Sequence, residues 1–166
     1  MTQALILIDL MERIVAYDLA PHSGTEVVER GMRLAEAFRA RRLPVVAVRV
    51  ERPGVGEQPP GSGFVDGLPG DGDVEIVKGA ISAFHQTGLE DRLRELGVTT
   101  VVMAGIATNL GVEGTARAAN DFGFDIVGVS DAMTAMSAEE HDMSLTSIFA
   151  RFGTVVTTEE YLAGLG

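Results

Sequence analysis

The stretch ALILIDL, at Ala4–Leu10, is an apolar run that only an aspartate interrupts, near its end. A continuous run of this kind, rather than an alternating one, is typical of a strand that is covered on both faces, as in a parallel sheet. Further along, Ser23 can cap a helix over residues 24–41, where apolar side chains recur at helical spacing. The start of the chain therefore predicts a buried strand followed by a helix.

The same alternation of strand and helix continues through the rest of the chain. Further strands are predicted at Leu43–Val50, Asp73–Lys78, Thr99–Ala104, Phe124–Val129 and Gly153–Val156. Helices are predicted over Leu89–Leu96, Asn109–Phe122 and Ala138–Phe152, with a terminal helical turn from Thr158. This order predicts an α/β protein with a three-layer α/β/α, doubly wound, parallel six-stranded sheet.

Ligands of such sheets bind outside the carboxyl ends of the strands, so the residues that end strands are the candidate site residues. Residues 53–73 are rich in Pro and Gly and have almost no periodicity. They are predicted to form one long loop, and such loops are usually functional or mobile. No repeat or linker divides the sequence, so we predict a single domain over residues 1–166.

The composition excludes several classes of function. The chain has 166 residues, 46% of them hydrophobic, and it contains no cysteine, which removes disulfides, thiolate metal sites and a cysteine nucleophile. Thirteen Lys and Arg against 24 Asp and Glu give a net charge of −11, which argues against nucleic acid and anionic membranes as partners. No apolar run reaches the about 18–20 residues of a membrane span and no signal peptide is evident, so we expect a cytoplasmic protein.

Two charged side chains stand at the ends of predicted strands. Asp9 ends the first strand and Lys78 ends the third. Taken singly, Asp9 can be a helix cap or a solvated strand end, and Lys78 an exposed flank. If the two side chains meet at the edge of the sheet, each keeps the other charged, and the pair can orient a proton or polarise a substrate oxygen.

The segment GIATNLGVE, at Gly105–Glu113, joins the fourth strand to its helix. Its small residues, a capping Asn109 and the free N–H groups of a helix start can together bind an anion or an oxyanion. A strand, a glycine and a capped helix occur in most folds of this class, so the segment alone does not identify a function.

These segments together resemble the isochorismatase-like family, often called cysteine hydrolases. The resemblance runs from Ala4 to about Thr158 and is carried by LIDLM, by VKGAISAFHQTGL and by GIATNLGVEGTARAA. It implies the fold predicted above, a small-molecule substrate, and a homodimer or homotetramer. It implies no cofactor. Metal-binding members hold the metal through histidines after the second strand, and Glu51–Gly61 has none, so no metal is expected.

The resemblance also implies a catalytic triad of aspartate, lysine and cysteine. Asp9 matches the acid/base of the family, Lys78 matches its lysine, and the cysteine position falls on Gly111. The family further implies a cis peptide bond between Ile106 and Ala107, with the N–H groups of Ala107 and Gly111 forming an oxyanion hole.

Two more residues are expected near the substrate on the same grounds. Phe84, in the SAF segment behind the lysine, is expected to form an apolar wall of the pocket, and Thr108 to lie beside the substrate while it supports the turn. Because isochorismate carries two carboxylates, a pocket for it needs an arginine or a comparable donor. Arg49 and Arg52, after the second strand, are the candidates.

Glycine at position 111 cannot form an acyl intermediate, so efficient amidase activity of the cysteine type is not expected. Isochorismatases resemble this chain, with the aspartate and lysine present and glycine in place of the thiol. In that subgroup the aspartic acid protonates the methylene carbon of an enolpyruvyl ether, and water attacks the resulting oxocarbenium carbon.

The resemblance therefore predicts a hydrolase that uses water to cleave a small carboxylate-bearing ether or related compound, with Asp9 as general acid/base. Two alternatives stay open. One is a catalytically weak or inactive family member that acts as a small-molecule-binding or regulatory module, and the other is a residual amidase.

Overall fold

The computed structural model of the chain describes residues 2–165, which form six strands and seven α-helices. The strands are β1 (Thr2–Ile8), β2 (Val45–Val50), β3 (Val74–Lys78), β4 (Val98–Ile106), β5 (Asp125–Thr134) and β6 (Gly153–Val156). The helices are α1 (Glu12–Val15), α2 (Gly24–Ala40), α3 (Leu89–Glu95), α4 (Glu113–Asp121), α5 (Ala138–Met143), α6 (Ala150–Phe152) and α7 (Thr158–Gly164). Two π-helical turns, Thr108–Val112 and Ser144–Phe149, precede α4 and α6. No helix within residues 2–165 has both the length and the apolar character needed to cross a membrane.

The six strands form one sheet in the order β3-β2-β1-β4-β5-β6. Every adjacent pair of strands is parallel. The order runs outward in both directions from β1 and β4, so these two neighbours mark the point where the strand order reverses. The predicted α/β class with a doubly wound, parallel six-stranded sheet is confirmed.

Strand β1 contributes side chains to the cores on both faces of the sheet. Ala4, Ile6 and Ile8 pack in the core that also contains α3 and α4, whereas Leu5 and Leu7 pack in the core that contains α2 and α7. Successive residues of a strand point to opposite faces, and here helices cover both. This arrangement explains why the first strand is continuously apolar, and it gives the protein its three layers.

Helix α1 is an element that the sequence pattern did not predict. It has four residues and no side-chain cap, so it lacks both signals by which a helix is recognised in a sequence. Part of the long loop packs against it: the carbonyls of Gly61 and Gly63 accept hydrogen bonds from the N–H groups of Arg13 and Glu12, at 2.9 and 3.1 Å. Backbone hydrogen bonds thus tie the 53–73 segment to α1.

Strand β4 approaches the end of β1 closely at Gly105. The φ angle of this glycine is 124°, and a Cβ atom there would lie 2.1 Å from the carbonyl oxygen of Ile8. Only glycine combines this backbone conformation with so close an approach. Beyond this point β4 continues to Ile106 and β5 to Thr134, past the strand ends predicted from the sequence, because the pairing of β4 with β5 resumes after a shift in register.

Helices α2 and α7 lie in the same layer and begin with the same capping arrangement. At the start of α2, Ser23 Oγ accepts a hydrogen bond from the N–H of Glu26 at 3.2 Å, and the Glu26 carboxylate accepts one from the N–H of Ser23 at 2.8 Å. Thr157 and Glu160 form the equivalent pair at the start of α7. The predicted cap at Ser23 is therefore present, and it satisfies N–H groups that the helix itself leaves unpaired.

Replacing Ser23 tests how much this cap contributes to stability. We expect Ser23→Ala to lower the free energy of unfolding by about 1 kcal/mol, because the N–H of Glu26 loses its acceptor. Ser147→Ala is the matched control, since Ser147 is an exposed helical serine whose hydroxyl takes no part in a cap. Urea denaturation of both variants measures the difference, and equal stabilities would contradict the role given to the cap.

Candidate active site

Asp9 lies directly after β1, at the carboxyl edge of the sheet. Its backbone has a φ of 52°, in the left-handed region that aspartate adopts more readily than most residues. The N–H of Asp9 donates to the carbonyl of Val48 at 2.8 Å, and the carbonyl of Asp9 accepts from the N–H of Met11 at the same distance. These two bonds hold the turn that separates β1 from α1 and fix the position of the carboxyl group.

The carboxyl group of Asp9 forms a buried ion pair with Lys78. Oδ2 of Asp9 lies 3.0 Å from Nζ of Lys78, and only 8% and 3% of the two side chains are exposed. Nζ of Lys78 also donates to the carbonyl of Ile81 at 2.9 Å. The other carboxyl oxygen, Oδ1 of Asp9, is buried and has no hydrogen-bond partner within residues 2–165. The structure thus brings together the two charged residues that end β1 and β3.

Burial raises the pKa of Asp9 above its ordinary value of 3.8, because the charged form loses its hydration. The ammonium of Lys78 opposes this shift, and the more distant guanidinium of Arg13 opposes it to a smaller extent. Desolvation is the largest of these effects, so at a given pH a larger fraction of Asp9 is protonated than of an exposed aspartate. A carboxyl group in this state can donate a proton at a higher pH than usual.

Gly111 packs directly against this ion pair. A Cβ atom on Gly111 would lie 2.9 Å from Cγ2 of Ile8, 3.1 Å from Nζ of Lys78 and 3.2 Å from Oδ2 of Asp9. We call the close contact of Gly111 with these three side chains the notch. A Cβ atom at position 111 would force Ile8 or one of the two charged groups to shift, so glycine is the residue that fits this packing. Asp9, Lys78 and Gly111 all border one cleft.

The turn from Ile106 to Gly111 places backbone N–H groups near the same pair. The peptide bond between Ile106 and Ala107 is cis, as the sequence resemblance predicted. Within the described residues, the N–H of Ala107 has no hydrogen-bond acceptor in the protein. Ala107 and Gly111 both border the pocket, so the free N–H of Ala107 is a donor available to a ligand.

The ion pair and the notch form the floor of a cleft of about 470 Å³. Most of the side chains that line it are large and apolar: Ile14, Tyr17, Val50, Ile81, Ile106, Leu110 and Met136. They come from α1 and the residues just after it, from the ends of β2 and β4, and from the segments that follow β3, β4 and β5. The cleft therefore lies at the carboxyl ends of the strands, with its polar groups concentrated at the floor.

Phe84 does not line this cleft, contrary to the sequence expectation. Its ring packs in the core, with ring centroids 5.3 Å from Phe122 and 6.1 Å from Phe124. The cause is the turn after β3, which is fixed by a hydrogen bond of 3.0 Å from the N–H of Ala83 to Oγ1 of Thr115 in α4. This bond directs the following phenylalanine toward the helical layer, and the apolar wall on this side is formed by Ile81 instead.

Thr108 also does not line the cleft, although the sequence resemblance placed it beside the substrate. It is fully buried, and its Oγ1 lies 2.7 Å from Nδ1 of His141 in α5. Burial lowers the pKa of His141, so the ring is neutral near pH 7. Ser144 Oγ, 3.4 Å from the carbonyl of Thr108, donates to Oε2 of Glu113 at 2.6 Å, at the start of α4. Thr108 therefore anchors the turn that carries Gly111 to the helix behind it.

Two further expectations about this region are corrected. Asn109 does not cap a helix, because the turn begins at Thr108 with π-helical geometry and no side-chain cap. Arg49 and Arg52 do not reach the cleft. The guanidinium of Arg49 bonds to two surface glutamates, Glu51 and Glu75, which draw it away from the carboxyl edge of the sheet.

The residues that sequence reasoning missed are the apolar ones around the opening. Tyr17 follows α1, which had no signal in the sequence. Ile81, Leu110 and Met136 share a signal that could have been used: each is a large apolar residue two to four positions after the end of a strand, and each is exposed. Apolar residues at such positions project over the carboxyl edge of the sheet instead of into the core.

The described part of the chain holds no group of three or more His, Asp or Glu side chains that could bind a metal ion. The polar groups at the floor of the cleft are one carboxyl, one ammonium and a backbone N–H. Such a set can donate a proton, orient a water molecule and stabilise negative charge on oxygen.

Comparison with known proteins places this arrangement in a family. Residues 3–160 match the isochorismatase domain. The chain is 39% identical to the isochorismatase family protein YecD of Escherichia coli O157:H7, over 99% of this chain and 96% of that protein. The structure of an isochorismatase family protein from Burkholderia thailandensis matches with a TM-score of 0.90 and 38% identity, over 99% of this chain and 95% of the other.

The chain therefore belongs to the isochorismatase family. N-carbamoylsarcosine amidase from Thermoplasma acidophilum has the same fold, with a TM-score of 0.81 and 29% identity over 96% of this chain and 98% of that one. The family thus includes hydrolases, and the protein is an isochorismatase-like hydrolase.

Removing the ammonium of the buried pair tests its electrostatic role. We expect Lys78→Met to lower the free energy of unfolding by about 3–5 kcal/mol near pH 8, because Asp9 is left charged, buried and unpaired. Without Lys78 the pKa of Asp9 rises further, so this loss is complete above the raised pKa and shrinks as the pH falls through it. Urea denaturation at about pH 8 and about pH 4 measures the effect.

Two controls accompany this measurement. In Asp9→Asn/Lys78→Met neither charge remains, so the dependence of the difference on pH should disappear. Arg92→Met removes one partner of an exposed ion pair with Glu95 and should change stability by less than about 1 kcal/mol. A loss in Lys78→Met that is the same at both pH values would contradict the proposed charge on Asp9.

Proposed function

We propose that the protein hydrolyses a small carboxylate-bearing enol ether or related compound with water, and that Asp9 is the general acid. The observation that carries the proposal is the buried carboxyl of Asp9, whose Oδ1 has no partner within residues 2–165, beside the side-chain-free Gly111. Oδ1 can carry a proton without giving up an existing hydrogen bond, and the cleft above the notch provides room for the reacting atoms. The rise in the pKa of Asp9 supports the same role.

The proposed reaction begins with proton transfer from Asp9 to the terminal methylene carbon of the enol ether. The double bond supplies the electron pair for the new C–H bond, which leaves an oxocarbenium ion at the ether carbon. Water adds to this carbon and returns a proton to the Asp9 carboxylate. The resulting hemiketal then breaks its bond to the alcohol oxygen, so that the products are an alcohol and a keto acid, and one water is consumed.

The other groups at the floor of the cleft stabilise charge during the reaction and position the substrate. Lys78 holds Oδ2 of Asp9, and its positive charge stabilises the carboxylate that is left after proton transfer. The free N–H of Ala107 and the backbone at Gly111 are donors for the carboxylate of the substrate. No covalent intermediate is required, which is consistent with a glycine at the position that the family resemblance assigns to a nucleophile.

Replacement of Asp9 tests the acid role. We expect Asp9→Asn to reduce pyruvate release from an aryl enolpyruvyl ether by about 10²–10⁴-fold, because asparagine cannot donate the proton. In the unmodified protein the rate should be high at low pH and fall as the pH rises through the raised pKa of Asp9. Asp18→Asn, an exposed change of the same type, is the matched control. An unchanged rate in Asp9→Asn would reject the acid role.

The same assay separates the proposal from a module that only binds small molecules. Such a module would show ligand-dependent increases in melting temperature without turnover of any enolpyruvyl ether. Turnover that is lost in Asp9→Asn while ligand-dependent stabilisation persists favours the enzyme.

A thiol at position 111 tests the remaining alternative, a residual amidase. The Cβ of Gly111→Cys would lie close to Lys78 and Asp9, and 2.9 Å from Cγ2 of Ile8, which must shift to admit it. We expect the variant, if its melting temperature shows that it folds, to gain measurable release of ammonia from benzamide. Gly56→Cys is the control, because nothing surrounds a Cβ at that exposed position. If both variants are equally inactive, the scissile bond does not lie over Gly111. Release of ammonia by the unmodified protein would favour the residual amidase.

Three further expectations stay predictions. Residues 1–166 are proposed to form a single domain, the protein to assemble as a homodimer or homotetramer, and its location to be the cytoplasm. Light scattering after size-exclusion chromatography measures the assembly, and a monomer would contradict that prediction.

A further inference from the structure

The cleft has a small and balanced set of charges. Of the described residues that line it, only Asp9 and Lys78 carry charge, and they neutralise each other when Asp9 is ionised. Once Asp9 holds a proton, as the proposed reaction requires, the net charge of the floor is that of Lys78 alone. One negative charge on a ligand balances it, and a second would have no counterpart.

Three arginines near this edge of the sheet do not supply a second positive charge. Arg49 is paired with two glutamates, and Arg52 lines a neighbouring cleft that shares Lys78 with the site. Arg13, on α1, is the other cation that acts on Asp9, but its Nε donates to Ser62 Oγ at 3.2 Å and it does not line the cleft. Arg13 approaches only the rim, with Nη1 3.5 Å from the hydroxyl of Tyr17. Among the described residues that line the cleft, the positive charge is therefore confined to Lys78 at the floor.

The opening of the cleft is apolar. Leu110 and Met136 are 52% and 55% exposed, and Ile81 and Tyr17 are exposed beside them. The other wall residues, Ile14, Val50 and Ile106, are apolar as well. A carboxylate that reached these walls would lose hydration and gain no cation, whereas an apolar group would release water from exposed hydrocarbon.

We propose that the substrate carries a single negative charge, on the carboxylate next to the scissile ether bond, and that the rest of it is an uncharged, mainly apolar group seated against Leu110, Met136 and Ile81. This inference rests on the proposed function, since it describes the molecule on which Asp9 acts. It separates this protein from hydrolases whose ether substrates carry a second carboxylate on the alcohol portion.

Two synthetic ethers that differ by one charge test the inference. The singly charged probe is 2-phenoxyacrylate, and the doubly charged probe is the same molecule with a carboxylate at the 3-position of the ring. Affinity is measured by calorimetry on Asp9→Asn, in which the neutral asparagine stands for protonated Asp9 and prevents turnover. We expect the doubly charged probe to bind about 10- to 100-fold more weakly, the effect of one desolvated and unpaired polar group.

The second measurement asks whether a positive charge added at the opening reverses the preference for the singly charged probe. Leu110→Arg and Met136→Arg, each added to Asp9→Asn, place a guanidinium at the opening and should bring the affinity for the doubly charged probe to or above that for the singly charged one. Val155→Arg adds the same charge at another exposed apolar residue, on β6 and away from the cleft. It should leave the ratio of the two affinities unchanged.

The outcomes distinguish the inference from the proposed function. Equal or tighter binding of the doubly charged probe overturns the inference, and so does a failure of both probes to bind. The acid role of Asp9 is judged by a different experiment, the turnover assay. An unchanged turnover in Asp9→Asn removes the proposed function, whatever the ratio of affinities. A shift of the ratio in Val155→Arg equal to that in Leu110→Arg would also overturn the inference, because the effect would then come from net charge alone.

Discussion

The site depends on the buried ion pair of Asp9 and Lys78, whose members belong to strands that are not neighbours in the sheet. Asp9 follows β1 and Lys78 ends β3, with β2 between them. Neighbouring strands lie about 4.7–4.9 Å apart, so the two backbones are separated by about 9–10 Å. The long side chain of lysine can cross this interval over the end of β2, whereas a shorter side chain cannot. Because both charges are buried, neither can be removed without leaving the other poorly solvated.

Several backbone contacts hold the members of this pair in place. Asp9 is held through its backbone by Val48 and Met11, and Lys78 by the carbonyl of Ile81. The glycine at 105 allows β4 to approach β1 closely, which brings the turn with Ala107 next to the carboxyl group. A buried pair contributes little net stability by itself, so the surrounding packing must hold the two groups in place.

Much of this arrangement follows from the sequence. The continuous apolar run of β1 predicted a strand covered on both faces, and the alternation of strands and helices predicted the parallel sheet. Once the sheet is parallel, Asp9 and Lys78 are placed at the same edge. The directions of side chains in turns were not predictable in this way. Phe84 turns into the core because of a hydrogen bond to α4, and Thr108 because of His141, and both depend on contacts between distant segments.

The position of one wall of the cleft depends on the long loop at 53–73, which does not itself border the cleft. Ile14 and Tyr17 accompany α1, and α1 is held by the carbonyls of Gly61 and Gly63 in the long loop. None of the loop residues 53–73 borders the cleft. Insertions or deletions in that loop would move this wall without placing a loop residue at the floor of the cleft. Related chains could therefore diverge in the size of molecule they accept through changes in a surface segment, with the reacting machinery inherited intact.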